Sequence, residues 1–247
     1  VNAWNKLVTG EGRIHHHCSV STNTFRCAHR KPNLAQVPAS QEFRELFTAS
    51  PEMVMVGADL SGIELRMLAH YLGRYDGGRY ADILLNDDIH QVNADKIGIT
   101  RRQVKTVTYA FLYGAGNEKI GTSYDNSLQP KEAKKKGSEI RKAFVSAIEG
   151  LSELLGAVAA RSTTGFLLAC DGRRVLVDSS HKGLNYLLQC SAGIVAKRWM
   201  VIANDLFAKN NVHTHQLAFV HDELQYECPA NQLIAVRYGL EASATLA

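Results

Sequence analysis

The sequence predicts an α+β fold, with strands and helices mixed and the strands paired antiparallel. Two strand–turn–strand signatures carry the sheet. FLLAC-DG-RRVLV has Asp171-Gly172 as its tight turn, and QLAFV-HD-ELQYEC (216–228) has two polar residues between two strand-like runs. Turns of this kind favour antiparallel pairing over a wound parallel sheet. The third observation is GLNYLLQCSAGIVAKRWMVIANDLFAK (183–209), a long helix whose apolar residues run round most of its surface.

The remaining elements follow in chain order. Residues 1–40 are loop-rich, with a short strand in GRIHHHCSV and an extended segment, PNLAQVP, bracketed by prolines 32 and 38. MVMVGADL (53–60) is a near-continuous apolar run, the pattern of a buried strand ending at Asp59. SGIELRMLAHYL has helical periodicity, and Ser61 with Glu64 spells the S-x-x-E capping box. Residues 88–97 form another helix. RRQVKTVTYAFLYGAG (101–116) forms a third, opened by Thr100 as N-cap with Gln103 at the box position and ended by Gly114 and Gly116. KEAKKKGSEIRKAFVSAIEGLSELLGAVAAR (131–161) reads as one or two amphipathic helices with a lysine-rich face. The closing RYGLEASATLA stops inside a helical pattern, and the opening VNAWNKLVTGEGR is polar and mixed, as expected of a fragment cut at both ends.

Bulk properties narrow the class. A chain of 247 residues, 45% hydrophobic and 21% charged, can bury a substantial core and is not a disordered polymer. The net charge of +4 favours a polyanionic partner mildly. Five scattered cysteines (Cys18, Cys27, Cys170, Cys190, Cys228), with no CxxC pair, do not form a disulfide framework, and a reducing compartment is expected. No apolar run reaches membrane-spanning length.

Two acids stand where strands end. Asp59 closes a strongly apolar run, and Asp222 sits between two more with Glu223 beside it. Carboxylates brought together by neighbouring strands repel, and a divalent cation resolves the repulsion; hard oxygen donors select Mg²⁺ or Mn²⁺. The other reading of each acid is an exposed turn residue. A second pattern lies in 101–116, where Arg101, Lys105, Tyr109 and Tyr113 recur every four residues. Steps of four drift only about 40° round a helix, so the row is one stripe roughly 18 Å long. Two cations and a helix N-terminus attract phosphates, and two tyrosines offer a sugar or base an aromatic face. The alternative is an amphipathic helix with its cations in solvent and its tyrosines in the core.

Other clusters have plainer readings. His15, His16 and His17 before Cys18 point alternately to opposite faces of a strand and read as surface residues. His213 and His215 share a face without a third ligand nearby. Cys190 reads as core. KEAKKKG reads as a solvated helix face or as a track for duplex phosphates.

DLSGIELRMLAH, RRQVKTVTYAFLYG and VHDE occur in that order, and they resemble motifs A, B and C of the family A DNA polymerases, with wording nearest the phage replicative branch. FRCAHRKPNLAQVP, DDIHQ, DGRRV and HKGLNYLLQ match in order too, so the resemblance runs from about residue 10 to about 230. It implies template-directed DNA synthesis on a right-hand fold: an antiparallel palm sheet with a helical fingers subdomain, truncated and without a thumb. Palm would occupy 1–87 and 166–247, and fingers mainly 88–165. No 3′–5′ exonuclease signature is present.

The same resemblance implies roles. Asp59 and Asp222 match the metal-binding aspartates of a two-ion Mg²⁺ centre (Mn²⁺ as a substitute), with the Leu60 carbonyl as a further ligand and Glu223 secondary. Arg101, Lys105 and His90 match the residues that hold the incoming triphosphate, and Lys105 also matches the proposed general acid for pyrophosphate. Tyr109 matches the ring that packs on the incoming sugar and base. Glu64 matches the steric gate against a ribose 2′-hydroxyl, and Tyr113 the residue beside the templating base. Arg26, Asn185, Gln189 and His221 match contacts to primer terminus, minor groove or template. Implied partners are primer–template DNA and a dNTP, with a processivity factor open and no membrane, in the cytoplasm of a bacterial or phage-infected cell. Bacterial members commonly read Asp-Tyr-Ser-Gln-Ile-Glu in motif A; Leu60 and Gly62 replace the Tyr and Gln here. Many members carry Phe where this chain has Tyr109, and a hydroxyl there goes with acceptance of dideoxynucleotides. The rival readings are a single-subunit RNA polymerase, which Glu64 with Tyr109 opposes, and a non-catalytic nucleic-acid-binding module, which the intact acids and cations oppose.

Overall fold

The computed structural model describes residues 2–38 and 40–247. The elements in chain order are α1 (Asn2–Asn5), β1 (His17–Ser19), β2 (Ala28–Arg30), α2 (Gln41–Arg44), β3 (Met53–Asp59), α3 (Ile63–Asp76), α4 (Arg79–Asn86), α5 (Ile89–Ile97), α6 (Arg101–Leu112), α7 (Asn117–Tyr124), α8 (Pro130–Ala147), α9 (Leu151–Ser162), β4 (Phe166–Leu168), β5 (Arg174–Leu176), α10 (Gly183–Lys209), β6 (His215–Val220), β7 (Glu223–Pro229) and α11 (Leu233–Leu246). Every sheet is antiparallel, as the two turn signatures predict.

The backbone forms two compact units, 1–61 with 192–247 and 62–191. In the second unit α3 lies against α4 and α9, and α9 against β4.

In the first unit, β7 is the central strand of a three-stranded sheet ordered β3-β7-β6. One face packs on α10 and α11 through Trp199, Phe207, Phe219, Leu224, Tyr226, Val236 and Leu240. The Trp199 indole donates to Leu240 O at 3.0 Å, which satisfies a buried donor and fixes one helix on the other. β3 is an edge strand, and only Val56 in it is buried. Its apolar run reads as a strand buried on both faces, but burial falls to β7, which alone has a neighbour on each side. In the second unit, Leu68, Leu72, Val104, Leu112, Ile120, Phe144 and Leu151 are among the buried side chains, and Phe111 packs on Phe144 at 4.9 Å.

Local chemistry sets the helix ends. Thr100 and Gln103 form the expected capping box at the start of α6. At the start of α3 the N-cap position falls on Gly62, at φ 61°, one residue after the expected Ser61, and Glu64 is the second residue of the helix. Asp171-Gly172 turns β4 into β5, with Gly172 at φ 83°. The 131–161 stretch divides into α8 and α9 at Gly150, φ 77°. Helices α4 and α7 are additional to the elements expected from the sequence. Among the described residues none of the five cysteines forms a disulfide, and no single helix is long and apolar enough to cross a membrane.

Candidate active site

The acids are gathered by strand register. Asp59, the last residue of β3, pairs with Glu223, the first of β7, and the Leu60 amide donates to the Asp222 carbonyl at 3.1 Å. Val220 pairs with Glu223 across the β6–β7 turn, in which His221 adopts φ 59° and Asp222 follows. Asp59 and Asp222 therefore stand at one end of the sheet, on adjacent strand ends. Asp59 is exposed and Asp222 half-buried. Each is a turn-side residue taken alone; register makes them a pair. All the donors here are hard oxygens, which suits Mg²⁺ or Mn²⁺. Among the described residues no three His, Cys, Asp or Glu side chains form an ion cage. An ion held by these two carboxylates and the Leu60 carbonyl would keep coordination positions for substrate oxygens, as Mg²⁺ does in phosphate-handling sites.

Glu223 has a support that sequence reading missed. Gln225 donates to Glu223 Oε1 through Nε2. It reaches there because its register partner is Gly57: a Cβ on that glycine would lie 2.6 Å from Gln225 Nε2. The signal was a glycine inside an apolar strand, which marks a close approach.

Around His221 the same unit places His29, with ring centroids 6.3 Å apart, and His16 stacks on His29 at 5.2 Å. Burial, then the neighbouring His16 and His221, pushes the His29 pKa down, so the ring is neutral at pH 7. Arg26 passes beside α10 at Gly193, 3.5 Å from where a Cβ would stand, and Lys197 holds the segment by donating to the Phe25 carbonyl. His213 and His215 sit edge to face, and His215 contacts the buried carboxylate of Glu227 at 3.3 Å, a structural partner and not a metal.

The second unit carries the row. Val104, Val107, Thr108, Phe111 and Leu112 are the buried face of α6. Arg101, Lys105 and Tyr113 are exposed and Tyr109 is half-buried, so the tyrosines line the outer face with the cations and are not core. Tyr109 and Tyr113 stack at 6.5 Å with their rings inclined by 24°, and His90 lies 6.2 Å from Tyr109. Tyr113 donates to Glu64 Oε1 at 3.2 Å.

Asp88 organises the cationic end. Its Oδ1 accepts from the His90 and Gln91 amides at 3.1 Å, capping α5, and its Oδ2 accepts from Arg101 Nε at 2.6 Å. The Arg101 bond and the Gln91 amide hold its carboxyl below the usual range. Burial, with Arg101 as the largest charge opposing protonation, pushes His90 down, so it presents a neutral imidazole. Neither the capping role of Asp88 nor its bond to Arg101 was read from the sequence. Asn185 is buried and donates to Leu112 O at 2.8 Å, satisfying the end of α6, while Gln189 sits half-buried one turn along α10.

The sequence model of DNA polymerase family A matches residues 1–244. The DNA-directed DNA polymerase of Escherichia phage T7 is 34% identical over 95% of this chain and 38% of its own length; that of Enterobacteria phage T3 is 34% identical over 94% and 37%. DNA polymerase I of Treponema pallidum is 26% identical over 94% of the chain and 25% of its own length. The chain thus spans less than two fifths of these relatives. Among solved structures, the POL domain of Pol1 from M. smegmatis, in complex with DNA primer-template and dNTP, superposes with a TM-score of 0.83 at 22% identity, covering 98% of this chain and 46% of that one, so the fold is shared. With nearly every residue inside the family match, the chain belongs to DNA polymerase family A.

Proposed function

We propose that this chain performs nucleotidyl transfer in template-directed DNA synthesis, with residues 1–87 and 166–247 serving as palm and 88–165 mainly as fingers. The observation that carries the reading is the outer face of α6, on which Arg101, Lys105, Tyr109 and Tyr113 stand exposed or half-exposed at four-residue steps; that order suits phosphates, then sugar and base, then template.

In the proposed reaction the primer 3′-hydroxyl oxygen attacks the α-phosphorus of a dNTP. The bond to the pyrophosphate breaks, and the hydroxyl proton passes to solvent. Arg101, Lys105 and the neutral imidazole of His90 hold the triphosphate, and Lys105 gives its proton to the departing pyrophosphate. Tyr109 packs on the sugar and base, Glu64 crowds a 2′-hydroxyl, and Tyr113 stands beside the templating base. Arg26, Asn185, Gln189 and His221 position primer and template. Asp59, Asp222 and the Leu60 carbonyl would hold two Mg²⁺ ions, which when bound stabilise charge on the attacking and leaving oxygens. Glu223, steadied by Gln225, keeps the acid cluster in place. Catalysis is otherwise positioning. Sequence choice comes from base pairing and site shape. The bacterial or phage-infected cytoplasm is the setting this activity implies.

Primer extension tests the reading. Templated extension that needs a divalent cation and disappears in Asp222→Ala supports it. Extension that survives that substitution overturns it.

A further inference from the structure

We propose that α8 carries a separate binding groove for the phosphate backbone of single-stranded nucleic acid. Lys131, Lys134, Lys135 and Lys142, with Ser138 and Glu139, line a surface groove of about 480 Å³ against Asn117, the first residue of α7. At two points the two helices pack backbone to backbone. A Cβ on Gly137 would lie 1.8 Å from Asn117 O, and one on Gly121 1.9 Å from Ala133 O.

The charges of α8 are sorted by angle. At about 100° per residue, Lys131, Lys134, Lys135, Ser138 and Lys142 fall within about 100° of arc. Ala133, Gly137, Ile140 and Phe144 form the buried face opposite. Glu132 and Glu139 lie at one flank of the lysine arc, where Glu139 meets Lys136 at 3.8 Å. None of the four groove lysines has an ion pair or hydrogen bond among the described residues. Glu139 lies i,i+4 from Lys135, yet the four groove lysines stay unpaired and leave a local excess of positive charge along one wall.

The shape and lining choose the ligand. Lys131 to Lys142 spans roughly 16 Å, the reach of a short run of phosphates. The unpaired template of templated synthesis has a flexible backbone that can follow such a row of cations along one helix face. No aromatic ring lines it, so bases are not stacked and sequence is not read; binding is electrostatic. The inference rests on the reading of the chain as an enzyme of templated DNA synthesis, for which a second hold on unpaired strand is useful.

The test is fluorescence anisotropy of labelled oligo-dT across a salt series, without nucleotide or divalent cation. It compares the parent, a variant with Lys131, Lys134, Lys135 and Lys142 all changed to Gln, the same four changed to Arg, and a charge-matched control in which Lys6, Lys96, Lys209 and Arg237 become Gln. The groove variant is expected to bind about tenfold or more weakly at low salt, with a log–log salt slope shallower by about 2–3, the counterion count for four phosphate contacts on a single strand. The control and the Arg variant should keep the parent's slope. Equal binding by parent and groove variant overturns the proposal, as does an equal loss in the control. Loss on blunt duplex but not on oligo-dT also overturns it, assigning the face to duplex; displacement by polyglutamate with oligo-dT binding unmoved assigns it to an acidic protein and does the same. If the fourfold variant melts early, the pairs Lys131→Gln/Lys135→Gln and Lys134→Gln/Lys142→Gln each read half the slope change. Lysine-dependent binding in a protein that fails to extend primers would sink the reading of activity and leave the groove standing.

Discussion

The Tyr113 hydroxyl donates to Glu64 Oε1 at 3.2 Å, joining the exposed end of the α6 row to a carboxylate that is 6% exposed. A buried carboxylate needs such a donor, and the bond fixes where its oxygens stand. Glu64→Ala removes the group proposed to crowd a 2′-hydroxyl and is expected to raise ribonucleotide incorporation relative to deoxynucleotide by tenfold or more, roughly the 1.4 kcal/mol of one lost steric contact. Tyr113→Phe should give a smaller rise, because the carboxylate stays but is less fixed. Single-turnover incorporation of rNTP against dNTP decides it, and an unchanged ratio in Glu64→Ala removes the gate assignment.

Tyr109 differs from the Phe of many relatives by one hydroxyl on the row's outer face. The parent is expected to use dideoxy- and deoxynucleotides at similar rates, and Tyr109→Phe to discriminate against the dideoxy sugar by about 100-fold or more, some 3 kcal/mol. Competition assays with matched ddNTP and dNTP pairs check this, and equal ratios in the two proteins would refute it.

Asp59→Ala and Asp222→Ala should each lower the extension rate at least about a thousandfold while leaving primer–template affinity within a few-fold, since the acids are assigned to the transition state and not to DNA binding. Anisotropy and extension measured on the same preparations separate the two effects.

Glu227 governs acid stability. It is 1% exposed in the central strand and accepts from the Ser50 amide at 2.8 Å, the Ser50 hydroxyl at 2.9 Å, Arg13 at 3.0 Å and His215 at 3.3 Å. Burial alone would raise its pKa; these donors outweigh burial and hold it at about 2, against 4.5 for the ordinary side chain. A depressed folded-state pKa contributes stability above the unfolded value, and that contribution is lost as pH falls from about 4.5 to about 2. The size is on the order of 3 kcal/mol. Denaturant melts across that window should show the loss in the parent and a flatter profile in Glu227→Gln, which is already destabilised at pH 7.

Gly137→Ala tests the α7–α8 crossing. In an exposed helix the change would stabilise by up to about 1 kcal/mol. Here the added Cβ meets the Asn117 carbonyl at 1.8 Å, so a loss of about 1–3 kcal/mol is expected instead. A raised melting temperature would show that the helices can separate at no cost.

The sequence by itself determined the local elements and the chemistry they carry. The Thr100–Gln103 box, the Asp171-Gly172 turn, the β6–β7 hairpin and the length of α10 all appear where spacing put them, because caps, turns and periodicity are short-range properties of the chain. The order of Asp59, the α6 row and Asp222 carried the family. Tertiary structure decided what depends on neighbours distant in sequence. It set β3 at the sheet edge, gave Glu64 the Tyr113 hydroxyl, tied Arg101 to Asp88, folded Gln225 across Gly57 onto Glu223, and surrounded Glu227 with donors from residues 13 and 50. A strand's period says which face a side chain takes, but only register and packing say which residue it meets there.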